Sequence, residues 1–123
     1  MIGIAILGFG VVGSGVEEVI SMNNDFYAER LCGEKIDVKY ILDRRSFPDH
    51  PLADRVTTDF EKIIADPEVL IVVETMGGSH PAYEFSLAAL KAGKSVVTSN
   101  KEVVSNYGTE LLKVASENNV SYM

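Results

Sequence analysis

Three observations in the sequence predict an α/β fold, a doubly wound and mostly parallel sheet with helices on both faces. Apolar strand-like runs alternate with helix-like stretches along the chain. The runs are near-continuous Ile and Val rather than in-out alternations, as suits strands covered on both sides. A glycine-rich turn joins the first run directly to the first helical pattern, so the chain opens as strand, turn and crossover helix. The 123 residues are enough for one domain with its own core, and too few for a second full domain beside it.

The first strand is read at Ile2–Leu7, followed by Gly8-Phe9-Gly10-Val11-Val12-Gly13 and a helical pattern running through Ile20. A GxGxxG string alone is weak evidence. Between a strand and a helix it is the phosphate-binding opening of a dinucleotide-binding, Rossmann-like fold. Gly8 permits the tight turn, Gly10 lacks the Cβ that would hold a pyrophosphate off the backbone, and Gly13 lets the helix lie close on the sheet. The free N–H groups and the positive end of the helix dipole then suit an anion.

The first helix is drawn from Val12 to Met22, and the polar stretch from Met22 to Lys35 either extends it or forms a separate turn. The second strand is Ile36–Leu42. An irregular segment, Arg44 to Thr58, carries two prolines and is expected to border the adenosine end of a cofactor. Further on, helices are drawn at Asp59–Ala65, Pro81–Ala92 and Tyr107–Asn118, with strands at Leu70–Glu74 and Ser95–Thr98 and a last short run at Val120–Met123. Pro81 suits a first helical turn, Gly93 a helix stop, and Asn118-Asn119 the close of the final helix.

Asp43 ends the second strand, where a carboxylate can accept from both ribose hydroxyls of NAD and repel the 2′-phosphate of NADP. It lies about thirty residues beyond Gly13 rather than the usual ~20, a delay that the Met22–Lys35 stretch accounts for. Arg44 and Arg45 follow at once, and guanidinium groups there either pair with a 2′-phosphate or form surface ion pairs with Asp49 or Asp54. The residues therefore admit NAD or NADP, with Asp43 deciding for NAD if its side chain faces the ribose.

In open α/β sheets the ligand lies beyond the carboxyl ends of the strands. Two polar clusters fall there: Glu74-Thr75-Met76-Gly77-Gly78, and Thr98-Ser99-Asn100-Lys101. Each is either a plain strand-to-helix turn or a cofactor contact. Lys101, at the start of a helix, sits against the dipole, so local stability does not explain it. Beside a nicotinamide it would bind a substrate carboxylate or hydroxyl, or move a proton; the alternative is a plain surface lysine.

Composition narrows the partners. Eleven Lys and Arg against eighteen Asp and Glu give a net charge of −7, which argues against nucleic acid but not against a small anion held by backbone donors. The single cysteine, Cys32, excludes an internal disulfide and is expected to be a small, at least partly buried residue. His50 and His80 belong to no recognisable nucleophile motif, and no metal site is expected. No apolar run reaches the ~18 residues a membrane span requires, and a cytoplasmic location is expected.

Four segments together resemble the amino-terminal, nucleotide-binding part of homoserine dehydrogenase: IAILGFGVVGSG at Ile4–Gly15, VETMGG at Val73–Gly78, AALKAGKSVVTSNK at Ala88–Lys101, and the continuing helix Glu102–Asn118. The AL-x-AGK-x-VVT-x-NK block is the most specific. The resemblance covers nearly the whole chain but about the first third of a typical member.

It implies interconversion of L-homoserine and L-aspartate 4-semialdehyde with NAD or NADP, on the way to threonine and methionine. By position, Gly8, Gly10 and Gly13 would surround the pyrophosphate, Thr75, Gly77 and Gly78 would lie along the nicotinamide ribose, Thr98, Ser99 and Asn100 would border the nicotinamide, and Lys101 would match an active-site lysine. Ser99 stands where alanine is common. The family continues into a catalytic and dimerising domain, so residues 1–123 are expected to bind cofactor without turning over substrate alone, and the full protein to be a homodimer. Other readings are the cofactor domain of a related enzyme, such as an aspartate dehydrogenase or sugar oxidoreductase, a non-catalytic dinucleotide sensor, and an acidic interaction module.

Overall fold

The computed structural model describes residues 1–123. Its order is β1 (Ile2–Leu7), α1 (Val11–Arg30), β2 (Ile36–Leu42), a 3-10 turn (Ala53–Arg55), β3 (Val56–Thr57), α2 (Phe60–Ala65), β4 (Val69–Glu74), α3 (Ala82–Lys91), β5 (Ser95–Thr98) and α4 (Lys101–Glu117). All five strands are parallel, in the order β3-β2-β1-β4-β5. This is the Rossmann-like α/β arrangement expected from the sequence, with β1 central and the strand order reversing between β1 and β4.

Side-chain alternation along β1 divides the core. Ile4 and Ile6 face α1, packing with Val16, Ile20 and Val38, while Ala5 and Leu7 face the opposite layer built from α2, α3 and α4. That layer contributes Ile63, Leu90, Val103 and Leu111, all fully buried. Two irregularities adjust the register. Between β1 and β2 the pairing skips Lys39, and between β1 and β4 it skips Leu70, an extra residue in each strand that re-aims the side chains around it.

The structure decides one choice the sequence left open and departs from the reading elsewhere. The stretch after Met22 extends α1 to Arg30, and the helix stops where Cys32 and Gly33 take positive φ values of 57° and 89°. Cys32 is exposed rather than buried, because it forms part of that surface turn. The Arg44–Thr58 stretch holds the short strand β3, whose two residues have too little pattern to read. Helix α4 begins at Lys101, where that lysine was expected to open a helix and six residues before the drawn pattern at Tyr107, because the Asn100 side chain caps it by accepting from the Val103 N–H at 3.2 Å. The run at Val120–Met123 makes one parallel bridge, Val96 to Tyr122, beyond the edge of β5. No helix is long and apolar enough to cross a membrane.

The amino-terminal edge of the sheet is held by polar groups. Lys94, almost fully buried, donates to the carbonyls of Asp66 and Val69, both at 2.7 Å, so the lysine of the AGK string pins the turn after α3 to the loop before β4. The Asp66 carboxylate accepts from Lys39 Nζ and Tyr40 Oη, each at 2.8 Å. Those two bonds, with the Glu68 backbone N–H, hold its carboxyl down at about 2. A depressed carboxyl stabilises the fold fully above its ordinary value of 3.8, and the contribution is lost as pH falls toward about 2. Asp66→Asn should therefore be less stable than wild type at pH 7, with the gap closing between about pH 4 and pH 2, as read by urea denaturation at each pH. A gap independent of pH would show that the carboxylate charge is not the cause.

Candidate functional site

A cleft of about 670 Å³ opens at the carboxyl ends of β1, β2 and β4, where the strand order reverses. Its walls come from the Gly8–Gly10 turn, from Asp43 to Arg45 after β2, and from Thr75 to Gly77 after β4. A second hollow of about 430 Å³ shares Asp43, Arg44, Arg45 and Thr58 with it and continues toward Ser46 and Thr57.

The turn from β1 into α1 is built by close approach. Gly8 has a φ of 89°, which other residues adopt with strain. A Cβ on Gly13 would collide with the Gly8 carbonyl oxygen and come within 2.9 Å of Thr75 Oγ1. Gly10 is different: a Cβ there would meet nothing within 4 Å, so the protein's own packing does not require glycine. The first bonded amide near the start of α1 is that of Ser14, which donates to the Gly10 carbonyl at 3.0 Å. The N–H groups of Gly10, Val11, Val12 and Gly13 have no partner in the chain, and no side chain caps the helix. Helices α2 and α4, by contrast, are capped by Asp59 and Asn100. The uncapped end of α1, with its helix dipole, favours an anion.

Asp43 faces the turn and its own neighbour. One carboxylate oxygen accepts from the Phe9 N–H at 2.9 Å and from Arg45 Nη2 at 3.0 Å. The other accepts from the Arg45 backbone N–H at 2.9 Å and from Arg45 Nε at 3.1 Å. The Arg45 guanidinium, helped by the two backbone donors, holds the Asp43 carboxyl well below the usual carboxylate range. Neither Arg44 nor Arg45 pairs with Asp49 or Asp54, the surface partners considered from the sequence; Arg45 pairs with Asp43.

Glu74, at the end of β4, is fully buried and has no cation beside it. Its charge is met by donors: the Met76 N–H at 2.7 Å, the Thr98 hydroxyl at 2.7 Å and, more distantly, Asn100 Nδ2 at 3.4 Å. Thr98 Oγ1 also accepts from the Asn100 N–H at 2.9 Å, which directs its proton to Glu74. Asn100 Nδ2 donates further to the carbonyls of Met76 and Gly78, at 3.0 and 2.6 Å. The loops after β4 and β5 are thereby joined into one unit. The Thr75 hydroxyl, 2.9 and 2.8 Å from the Leu7 and Gly8 carbonyls, ties that unit to the glycine turn.

The structure brings Gly8, Phe9, Gly10, Asp43, Arg44, Thr75, Met76 and Gly77 to the main cleft, as well as Arg45. Val11 and Val12 stand exposed at its rim, and Gly13 lies beneath it. Thr98, Ser99, Asn100 and Lys101 do not line it, and neither does Gly78. Asn100 is buried in the clamp between loops, while Lys101 is exposed and forms no ion pair within the chain. Sequence reasoning missed Phe85 and Thr58 as wall residues and Glu74 as the organiser. A charged residue closing an otherwise apolar strand was the available signal for Glu74; nothing local marks Phe85, which reaches the cleft from α3.

A family model described as homoserine dehydrogenase, NAD binding domain, matches residues 8–123. The homoserine dehydrogenase of Lactococcus lactis is 38% identical over 124 residues, covering 98% of this chain and 29% of that protein. That of Corynebacterium glutamicum is 41% identical over 121 residues, covering 97% of this chain and 27% of its own length. Among solved structures, Staphylococcus aureus homoserine dehydrogenase at pH 8.5 superposes with a TM-score of 0.89 at 35% identity, covering 98% of this chain and 31% of that one. A hyperthermophilic archaeal homoserine dehydrogenase mutant in complex with NADPH superposes with a TM-score of 0.77 at 26% identity, covering 99% of this chain and 43% of that one. The chain thus spans less than a third of the length of these two curated relatives.

The geometry around Glu74 makes a sharp test. The Met76 N–H and Asn100 Nδ2 converge on one oxygen and the Thr98 hydroxyl on the other, so an amide at that position must keep its oxygen toward Met76 and Asn100 and turn its NH2 to Thr98, whose hydroxyl then loses its acceptor. Glu74→Gln should lose about 1–3 kcal/mol of stability in urea denaturation and lower the hydrogen-exchange protection of the Met76 amide. Unchanged stability and protection would remove Glu74 from the role of organiser.

Proposed function

The chain belongs to the homoserine dehydrogenase NAD-binding domain family, and from that membership we propose that its cleft seats a nicotinamide dinucleotide for the interconversion of L-homoserine and L-aspartate 4-semialdehyde. One observation carries the reading: four unpartnered amides, those of Gly10 to Gly13, open α1, and at Gly10 the protein leaves free the space a side chain would fill. Those donors match a pyrophosphate. The NADPH of the archaeal relative supports the same class of ligand.

Residues 1–123 act as the cofactor domain. In this reading Gly8, Phe9, Gly10, Val11, Val12 and Gly13 hold the pyrophosphate, and Asp43 and Arg44 border the adenosine ribose. Thr75, Met76, Gly77 and Gly78 follow the nicotinamide ribose, with Thr98, Ser99 and Asn100 beyond them. The bound nicotinamide supplies the hydride chemistry, and the chain's part is to align it and exclude competing geometry. Asn100 contributes by locking the loops after β4 and β5 together, since its side chain already bonds Met76, Gly78 and Val103. Lys101, with no acidic partner in the chain, is available to a substrate carboxylate or hydroxyl. The remaining substrate contacts and the homodimer interface would lie in a further domain, as the length of the relatives supports.

Gly10→Val tests the central contact, because a Cβ at that position meets no protein atom within 4 Å and the branched side chain fills space left to the ligand. The variant should melt within about 2 °C of wild type while its affinity for NADH or NADPH, read by fluorescence titration, falls at least about tenfold. Undiminished binding would place the pyrophosphate elsewhere.

A further inference from the structure

We propose that Tyr107 is a nucleophile for small activated acyl groups, with His80 as its general base and Glu84 orienting that base. None of the three residues lines the cleft, so the proposal is independent of the dinucleotide reading.

The first argument is geometry. His80 ends the loop after β4, Glu84 lies in the first turn of α3, and Tyr107 lies in the second turn of α4. Tyr107 is 27 positions from His80, so only the packing of α4 beside α3 brings them together. The phenol oxygen sits 3.1 Å from His80 Nε2, and both Glu84 oxygens approach His80 Nδ1, Oε2 at 3.0 Å. A carboxylate only accepts, so Nδ1 carries the ring proton, and Nε2 of the neutral ring is left as the acceptor for the Tyr107 O–H. A hydroxyl within reach of a base that a third group orients is the arrangement that activates a nucleophile.

The second argument is charge. Passing the phenol proton to Nε2 leaves a phenolate, an imidazolium and a carboxylate in a row, each charge beside its opposite. The other four of the five tyrosines have no such partner. Tyr83 bonds the Glu110 carboxylate, which together with burial pushes its hydroxyl up to about 12. Tyr40 is raised by its bond to Asp66, and Tyr122 by burial and then by Glu74. Tyr27 packs edge-on against Phe26, which offers no base.

The third argument is placement. The Tyr107 ring stacks on Tyr83, with centroids 4.0 Å apart and planes 23° from parallel, so the hydroxyl is held toward His80 before any reagent arrives. Asn106 Nδ2 donates to Ser79 Oγ at 3.0 Å and ties the same two segments together. The His80 side chain is 57% exposed, which leaves the relay open to a small molecule from solvent. In the reaction a bond forms between Tyr107 Oη and the acyl carbon while the bond from that carbon to its leaving group breaks. The phenol proton passes to His80 Nε2 and from there to the leaving group, and the product is an O-acyl tyrosine.

The test uses p-nitrophenyl acetate on the 123-residue chain, with the rate at each acetylated residue read by peptide mass spectrometry and the folding of each variant by thermal melt. Tyr107 should be acetylated at least about tenfold faster than Tyr27, which is also half-buried. His80→Ala and His80→Gln should each lower the Tyr107 rate at least about tenfold and leave the Tyr27 rate unchanged. Either variant decides the matter if it folds. Glu84→Gln keeps an acceptor for Nδ1 without the charge, so its Tyr107 rate should fall between those of wild type and His80→Ala. Equal rates at Tyr27 and Tyr107 in wild type, or an undiminished Tyr107 rate in a folded His80 variant, would overturn the proposal. A wild-type rate in Glu84→Gln would remove Glu84 from it.

Discussion

The closeness of α1 to the end of β1 is the constraint from which the site follows. Gly13 rests so near the Gly8 carbonyl that a single methyl group has no room, and the Thr75 hydroxyl closes the same gap from β4. This seating brings the start of the helix over the carboxyl end of the central strand. The amides of Gly10 to Gly13 are then left without a partner in the chain instead of being covered by a capping side chain. A larger residue at position 13 would lift the helix, and the anion site would lose its geometry before any ligand contact had changed.

A second layer of order comes from polar groups inside the sheet. Glu74 is buried without a counter-ion, which is tolerable because Met76, Thr98 and Asn100 supply donors. The same bonds make the loops after β4 and β5 move as one body. At the opposite edge, Lys94 and Asp66 do the corresponding work through backbone carbonyls and the Lys39–Tyr40 pair. The fold is therefore fastened by buried polar contacts at both ends of its strands, with the apolar layers between them.

Much of the fold and part of the site were legible beforehand, for reasons that particular residues illustrate. Ile2–Leu7 and Ile36–Leu42 carry dense apolar patterns, and their boundaries in the structure agree with the reading. The start of α4 was legible only in part: the apolar pattern is clear from Tyr107 onward, whereas Lys101 to Asn106 become helical through the Asn100 cap. β3 was invisible, since two residues hold no period and the strand exists only because β2 offers it an edge. In the site, the glycine turn and Asp43 were found by spacing from neighbouring elements. Phe85 and Thr58 were not, because helix α3 and the loop before α2 reach the cleft from distant parts of the chain.

The sequence by itself determined the alternation of strands and helices, the glycine turn and the family, because local propensity and the order of polar and apolar residues are written along the chain. Only the tertiary structure decided what Asp43 does. A carboxylate at that position can face a ribose or fold back on its neighbours, and the choice depends on where the Phe9 amide and the Arg45 guanidinium lie once β1 and β2 are paired. Hydrogen-bond capacity is a property of the residue; which partners fill it is a property of the packed fold.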